Sequence, residues 1–80
     1  MGAAKIRTRV KRAELGNMGD HRGVGHGVIE LKINYGPGYR VYIGIADKEQ
    51  LILLCAGDKS SQDKDILKAM DYWEDFRRQP

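Results

Sequence analysis

Two stretches of alternating apolar and polar residues, separated by a tight turn, most constrain how this chain can fold. Residues 28–34 read VIELKIN and residues 39–45 read YRVYIGI. Successive side chains of a β-strand point to opposite faces, so each stretch predicts a strand with one apolar face. The intervening YGPG favours a turn, because proline fixes one backbone angle and glycine adopts a positive φ. Together they predict an antiparallel hairpin.

The flanking segments extend this hairpin into an α+β domain. Residues 3–15 carry apolar side chains at helical spacing, and residues 16–27, with five glycines, predict a long loop. Residues 50–56 are apolar on both faces and predict a central strand. A second helix follows Ser60 or Ser61 as N-cap. We therefore predict one domain over residues 1–80, with an N-terminal helix, a three-stranded antiparallel meander, a C-terminal helix, and one sheet face covered by helices.

The charge of the chain is distributed unevenly. Residues 1–44 hold eight Lys/Arg and three Asp/Glu, a net charge of +5, whereas residues 45–80 hold six and eight, a net charge of −2. Such asymmetry favours a polyanion as partner, and nucleic acid is the usual one. The alternative is a basic helix that is simply solvated.

The composition argues against export and against insertion into a membrane. No apolar run approaches the roughly 18 residues of a membrane span, and the amino end lacks the apolar stretch of a signal peptide. The single cysteine, Cys55, has no partner for an internal disulfide. We expect a cytoplasmic protein that is not associated with membranes.

The strand alternation brings several basic residues together. If the isoleucines of residues 28–34 face the core, Lys32, Arg40 and Tyr42 share the opposite, exposed face, with Asp58 and Lys59 at its rim. Arginine donates two parallel hydrogen bonds to a phosphate, lysine adds charge, and tyrosine stacks on bases or transfers a proton. This cluster predicts an RNA phosphodiester site. The alternative is a solvated face with Lys–Glu cross-strand pairs.

Other residues suggest weaker sites. His26 is a candidate general acid or base, because its loop leads into the strand that carries Lys32. The two histidines and one cysteine lack the paired spacing of a zinc site, so no metal is predicted. Candidate RNA contacts outside the central cluster are Arg7, Lys11, His26 and Tyr39.

Three long segments resemble one known family. AKIRTRVKRAELGN, GHGVIELKINYGPGYRVYIG and LLCAGDKSSQDKDILKAMDYW together cover nearly all of the chain. They resemble the addiction-module killer proteins, which are HigB-like toxins of the RelE/ParE superfamily in bacterial type II toxin–antitoxin systems. YGPGYRVY and GDKSSQDKDI are the strongest parts of the match.

The resemblance implies a small RelE-like fold and an endoribonuclease that cleaves messenger RNA, on the ribosome or free, without metal or cofactor. In such enzymes the 2′-hydroxyl attacks the adjacent phosphate. The matching catalytic positions are Lys32, Arg40, Tyr42, Asp58 and Lys59. Arg40 would neutralise the phosphate and Asp58 would carry a proton or orient a neighbour, while the identity of acid and base stays open. The implied partner is a helix-turn-helix antitoxin.

One departure from the family bears on assembly and activity. Members of the family carry a strand and a helix before the segment that matches AKIRTR, and this sequence starts at that segment. The absence of both elements predicts an exposed apolar surface and sheet edge, covered in a homodimer. The alternatives to a ribonuclease are a truncated or inactive relative that only binds antitoxin, and a ParE-type toxin that poisons DNA gyrase.

Overall fold

A computed structural model describes residues 2–79 of the chain. The helices and strands, in chain order, are α1 (Gly2–Glu14), β1 (His21–Gly25), β2 (Val28–Ile33), β3 (Tyr39–Ile45), β4 (Leu51–Gly57) and α2 (Gln62–Arg78). The strands form one sheet in the order β1-β2-β3-β4, and every neighbouring pair is antiparallel. The structure therefore confirms the α+β class and the antiparallel meander, but the described residues form four strands, not three. The α-helices within residues 2–79 are α1 and α2, and neither is long and apolar enough to cross a bilayer.

The additional strand, β1, lies inside the segment predicted as a loop. Its residues are mostly exposed, and its sequence HRGVG shows no alternation, so main-chain pairing with β2 defines the strand. Arg22 and Val24 add side-chain contacts to Glu30 and to the core under α2. His26 and Gly27 form the two-residue connection, with φ angles of 54° and 84°. Positive φ at both positions suits the right-handed twist of a hairpin. The prediction of an unbroken loop over residues 16–27 was wrong because main-chain pairing leaves no hydrophobic period in the sequence.

The hairpin of β2 and β3 forms as predicted. Its register pairs Ile29 with Ile43 and Lys32 with Arg40. The connecting turn contains Gly36 at φ 59° and Gly38 at φ 80°. Both angles are in the left-handed region, which glycine adopts without strain.

The first hydrophobic core lies between the sheet and α1. Leu31, Ile33, Val41 and Ile43 are buried on this face, together with Ala13 of α1. Other apolar side chains of α1 pack against them. These are the inward-facing residues that the alternation of β2 and β3 predicts, so the faces of both strands are confirmed.

A second core lies on the opposite face of the sheet, under α2. Val28 and Tyr42 from the sheet are buried against Ala69 and Trp73 of α2. The Trp73 ring lies so close to the backbone of Gly44 that a Cβ on this glycine would be 2.4 Å from a ring carbon. The prediction that helices cover only one face is therefore wrong: α1 and α2 sandwich the sheet between them.

Strand β4 is an edge strand within the described residues, not the predicted central strand. It pairs with β3 alone, and its Leu53 side chain is 53% exposed. The apolar residues on both of its faces contact the layers of α1 and α2, which explains the two-sided pattern. Leu15, just after α1, is also largely exposed.

Candidate functional site

The strand register brings the predicted basic residues to one end of the sheet. Lys32 of β2 lies opposite Arg40 of β3, and Arg40 lies opposite Gly57 of β4. Asp58 and Lys59 follow Gly57 directly. We call this row the basic end, defined by Lys32, Arg40 and Lys59. The predicted convergence of three strands' basic residues is thus present in the register.

Arg40 does not stand free on an open face, as the alternation predicted. Its side chain is only 11% exposed, because α2 covers this face. Nη1 donates a hydrogen bond to the carbonyl of Gly38 over 2.9 Å. Nε lies 3.7 Å from Glu30 Oε2, and this buried nitrogen has no hydrogen-bond partner within residues 2–79. The guanidinium is therefore set into the sheet surface, with its Nε end inside.

Gly38 brings Arg40 close to Lys59. A Cβ built on Gly38 would lie 3.5 Å from Arg40 Nη1 and 3.6 Å from Lys59 Cβ. Both residues therefore flank one point at the basic end. Lys59 is exposed, and its flexible side chain starts next to the Arg40 guanidinium. Two cationic side chains from different elements therefore lie near one point, where both could contact the same anion.

Tyr42 lies inside the protein and not on an exposed face. Its side chain is fully buried in the core under α2, and its hydroxyl donates a hydrogen bond to Glu30 Oε2 over 3.2 Å. Burial, followed by the negative charge of Glu30, raises the pKa of this phenol above its usual value. The predicted solvent-facing position was wrong because α2 packs over the phenol.

Glu30 is the residue that the sequence reasoning missed. The alternation of β2 predicts Glu30 on the same exposed face as Lys32, yet it is 0% exposed and accepts hydrogen bonds from several side chains. Arg22 Nε lies 2.9 Å from Oε1, and Gln62 Nε2 lies 2.8 Å from Oε2. Burial alone would raise its pKa, but the hydrogen bonds from Arg22, Gln62 and Tyr42 and the charge of Arg22 outweigh burial and lower it. The available signal was the apolar stripe of α2, which needs a second sheet face to cover.

Asp58 stabilises the turn that carries Lys59. Its Oδ1 accepts hydrogen bonds from the Ser60 amide over 2.9 Å and from the Ser60 hydroxyl over 2.5 Å, which caps the short 3₁₀ turn Lys59–Ser61. The hydroxyl bond from Ser60 is the main reason that the pKa of Asp58 is lowered. Asp58 is therefore a carboxylate near neutral pH, fixed within its own turn.

The other predicted RNA contacts lie apart from the basic end. Arg7 and Lys11 are exposed on α1. Tyr39 is half-buried on the α1 side of the sheet, where its ring stacks on Tyr35 at 6.3 Å between centroids. His26 is exposed in the β1–β2 connection, at the end of β2 opposite to Lys32. The structure thus does not gather these four residues around Arg40.

Residues 2–79 contain no candidate metal centre. No group of three or more His, Cys, Asp and Glu side chains in this range is arranged to hold a metal ion. Cys55 is half-buried, its Sγ donates to the carbonyl of Asp65 over 3.4 Å, and burial raises the pKa of the thiol. A buried, protonated thiol is a poor nucleophile and a poor ligand.

The fold and the basic end together define a small α+β protein with a four-stranded antiparallel sheet between two helices and a cationic row at one end. The chain is 53% identical over 66 residues to an uncharacterized protein of Haemophilus influenzae (strain ATCC 51907 / DSM 11121 / KW20 / Rd). The match covers 82% of this chain and 67% of that protein, so the chain belongs to the same family. No protein-family model matches the chain, and no solved structure matches it.

Proposed function

We propose that this protein is a HigB-like toxin of the RelE/ParE superfamily with a RelE-like fold, and that it cleaves messenger RNA without a metal ion. The observation that carries the proposal is the basic end, where Arg40 Nη1 and Lys59 flank Gly38 and Lys32 lies opposite Arg40. The sequence resemblance, which spans nearly all of the chain, supports the same class. A phosphodiester carries the charge and the paired oxygens that an arginine fork with adjacent ammonium groups binds.

The chemistry assigned to the basic end is charge stabilisation. The 2′-hydroxyl of the RNA gives its proton to a base and attacks the adjacent phosphorus. The bond to the 5′-oxygen breaks, and this oxygen takes up a proton from an acid, which leaves a 2′,3′-cyclic phosphate and a new 5′-hydroxyl. Arg40 and Lys59 stabilise the negative charge that builds up on the phosphate oxygens. Lys32 adds positive charge from the neighbouring strand.

The residues that move protons in this reaction are not assigned. Tyr42, one of the predicted candidates, is buried with its hydroxyl bonded to Glu30, the carboxylate next to Arg40, and does not reach RNA. Asp58 has a lowered pKa and its Oδ1 is occupied by Ser60, which fits the orienting role better than the role of an acid.

The proposed protein partner is an antitoxin of the helix-turn-helix type. An acidic segment lying over Lys32, Arg40 and Lys59 would neutralise the basic end by charge pairing and block RNA at the same place. The homodimer expected from an exposed apolar surface and sheet edge stays a prediction.

A second candidate function is an interaction module that binds antitoxin without cleaving RNA. The observation in its favour is the burial of Tyr42 and of Arg40 Nε, which withdraws two of the five predicted catalytic side chains from solvent. In this case the basic end would bind an acidic protein segment only.

Induced expression with transcript mapping tests the proposal. The wild type should arrest growth and produce new 5′ ends in messenger RNA, whereas Lys59→Ala and Arg40→Ala should lose both effects. Arg77→Ala is the control and should behave as wild type, because Arg77 is exposed near the end of α2 and lies with Asp47 at the end of β3 opposite to Arg40. Thermal unfolding of each purified variant separates lost activity from lost folding, which matters for the buried Arg40.

Two outcomes would contradict the ribonuclease. Growth arrest with intact transcripts and an induced DNA-damage response would indicate the gyrase-poisoning mode. No growth arrest, together with tight binding to the antitoxin, would indicate the interaction module.

A further inference from the structure

A cationic groove, distinct from the basic end, lies on the α1 side of the sheet. It has a volume of about 390 Å³ and is lined by Lys5, Arg9 and Arg12 of α1, by Asp20, and by the segment from Lys32 to Tyr35. We call it the α1 groove. Its size lies in the lower part of the range for ligand sites, and its lining is rich in hydrogen-bond donors.

Arg9 forms the floor of the α1 groove. Its Nε donates to the Lys32 carbonyl over 3.0 Å, and its Nη2 donates to the carbonyls of Met18 and Asp20. All three acceptors are neutral, so the positive charge of Arg9 is not cancelled by a carboxylate bonded to it. The guanidinium is thus held rigidly, with its charge available to an anion.

Lys5 lies at the rim of the α1 groove, against the ring of Tyr35. Its Nζ lies 4.9 Å from the centroid of the Tyr35 ring, and Tyr35 stacks on Tyr39. A cation placed over a tyrosine face is attracted by the electrons of the ring. Lys5 is exposed, so the ammonium group keeps its remaining donors for a ligand.

The three cations repel each other, and the charge of the nearby Asp20 carboxylate offsets this repulsion at Arg9 without forming an ion pair. Lys5, Arg9 and Arg12 lie at i, i+4 and i+7 on one face of α1, and among residues 2–79 none of the three takes part in an ion pair. Like charges at this spacing destabilise a helix by about 0.2–0.5 kcal/mol per pair. Burial lowers the pKa of Arg9, Asp20 raises it, and the charge of Arg12 lowers it again. A bound anion would relieve this repulsion.

We infer that the α1 groove binds the phosphate backbone of a single-stranded RNA through Lys5, Arg9 and Arg12. The inference rests on the proposed function in one respect: the RNA held here is the substrate whose scissile phosphate lies at the basic end. Lys32 links the two sites, because its carbonyl accepts a hydrogen bond from Arg9 and it lies opposite Arg40 in the pairing of β2 with β3. The predicted RNA contacts Arg7 and Lys11 lie instead on the other flank of α1, beside the apolar side chains of Val10 and Leu53.

Binding of an uncleavable RNA tests the groove separately from catalysis. The probe is a fluorescein-labelled, 2′-O-methylated oligouridylate of about twelve nucleotides, within the usual site sizes for single strands. Anisotropy titrations at salt concentrations from about 50 to about 200 mM give the affinity and its salt dependence. The variants are Lys5→Gln/Arg12→Gln for the groove, Arg7→Gln/Lys11→Gln for the other flank, and Lys68→Gln/Arg77→Gln on α2 as a control of equal charge change.

The groove variant should bind about 10- to 30-fold more weakly, and its salt slope should fall by about 1.4, since each lost phosphate contact on a single strand accounts for about 0.7. The α2 control should match the wild type. All exchanged residues are exposed, and a thermal unfolding curve confirms that each variant folds.

Three outcomes would contradict RNA binding by the α1 groove. They are unchanged affinity of the Lys5→Gln/Arg12→Gln variant, an equal loss in the Arg7→Gln/Lys11→Gln variant, and equally tight binding of an oligoglutamate peptide of the same charge. If RNA binding depends on the groove residues but messenger RNA is never cut, the ribonuclease proposal is contradicted while RNA binding by the α1 groove is supported. If messenger RNA is cut but the Lys5→Gln/Arg12→Gln variant binds RNA as tightly as wild type, the ribonuclease proposal is supported and RNA binding by the α1 groove is contradicted.

Discussion

Glu30 and Tyr42 face each other across β2 and β3, and the Tyr42 hydroxyl donates to Glu30 Oε2 over 3.2 Å in the core under α2. Both side chains are 0% exposed. A buried carboxylate is tolerated only when it is bonded to donors or cations. Arg22 and Gln62 supply further bonds, so this carboxylate is the centre of a polar network that joins β1, β2, β3 and α2.

The first prediction concerns the phenol of this network. Tyr42→Phe removes one donor from a buried carboxylate and should lower the free energy of unfolding by about 1–2 kcal/mol. Urea denaturation of the purified proteins measures it. Tyr39→Phe, in which no hydroxyl bond is lost within the described residues, is the matched control and should change stability by less than about 0.5 kcal/mol. An unchanged Tyr42→Phe variant would show that the phenol does not support Glu30.

The raised pKa of Tyr42 predicts loss of stability in alkali. A phenol whose pKa is higher in the folded protein than in the unfolded chain stabilises the fold fully below the unfolded pKa of about 10, and this contribution disappears as the pH rises above it. The free energy of unfolding of the wild type should therefore fall above about pH 10 more steeply than that of Tyr42→Phe. The difference in tyrosinate absorbance between the two proteins should stay near zero at pH 10, and a full tyrosinate signal from Tyr42 there would contradict its burial.

The lowered pKa of Glu30 predicts the opposite dependence in acid. A carboxyl group whose folded pKa lies below its unfolded value of about 4.5 stabilises the fold above that value, and the contribution is lost as the pH falls through the folded pKa. Glu30→Gln should cost about 1–3 kcal/mol near pH 7, and this difference from wild type should shrink as the pH approaches 3. Glu74→Gln, at an exposed site on α2, serves as the control. A difference that is constant with pH would mean that Glu30 does not titrate with folding.

The sequence predicted the parts of the fold in which side-chain alternation decides the structure. The inward faces of β2 and β3 follow from the period of two, and the burial of Leu31 and Val41 confirms them. Strand β1 was not predictable in this way, because an exposed, glycine-containing strand is held by main-chain bonds that any sequence can form.

The polar residues of the second sheet face did not reveal that α2 covers it, because in the structure these residues contact each other and not water. Alternation marks Glu30, Arg40 and Tyr42 as the polar face and predicts contact with water. In the structure these side chains form bonds or close charge contacts among themselves, which lets α2 cover them. The proximity of Arg40 and Lys59 was predictable from the strands, but the depth of the guanidinium was not.

The last prediction tests how closely α2 packs on the sheet. Gly44 of β3 lies directly beneath Trp73, and a Cβ there would be 2.4 Å from the indole ring, far below any normal contact distance. Gly44→Ala should therefore displace α2 and lower the free energy of unfolding by at least about 2–3 kcal/mol, with a shift of Trp73 fluorescence as the ring becomes solvated. Gly23→Ala is the matched control, since it is also a strand glycine but a Cβ there meets nothing within 4 Å. Equal stability of both alanine variants would mean that α2 does not lie on this face, and the buried positions of Tyr42 and Arg40 would then have to be abandoned together.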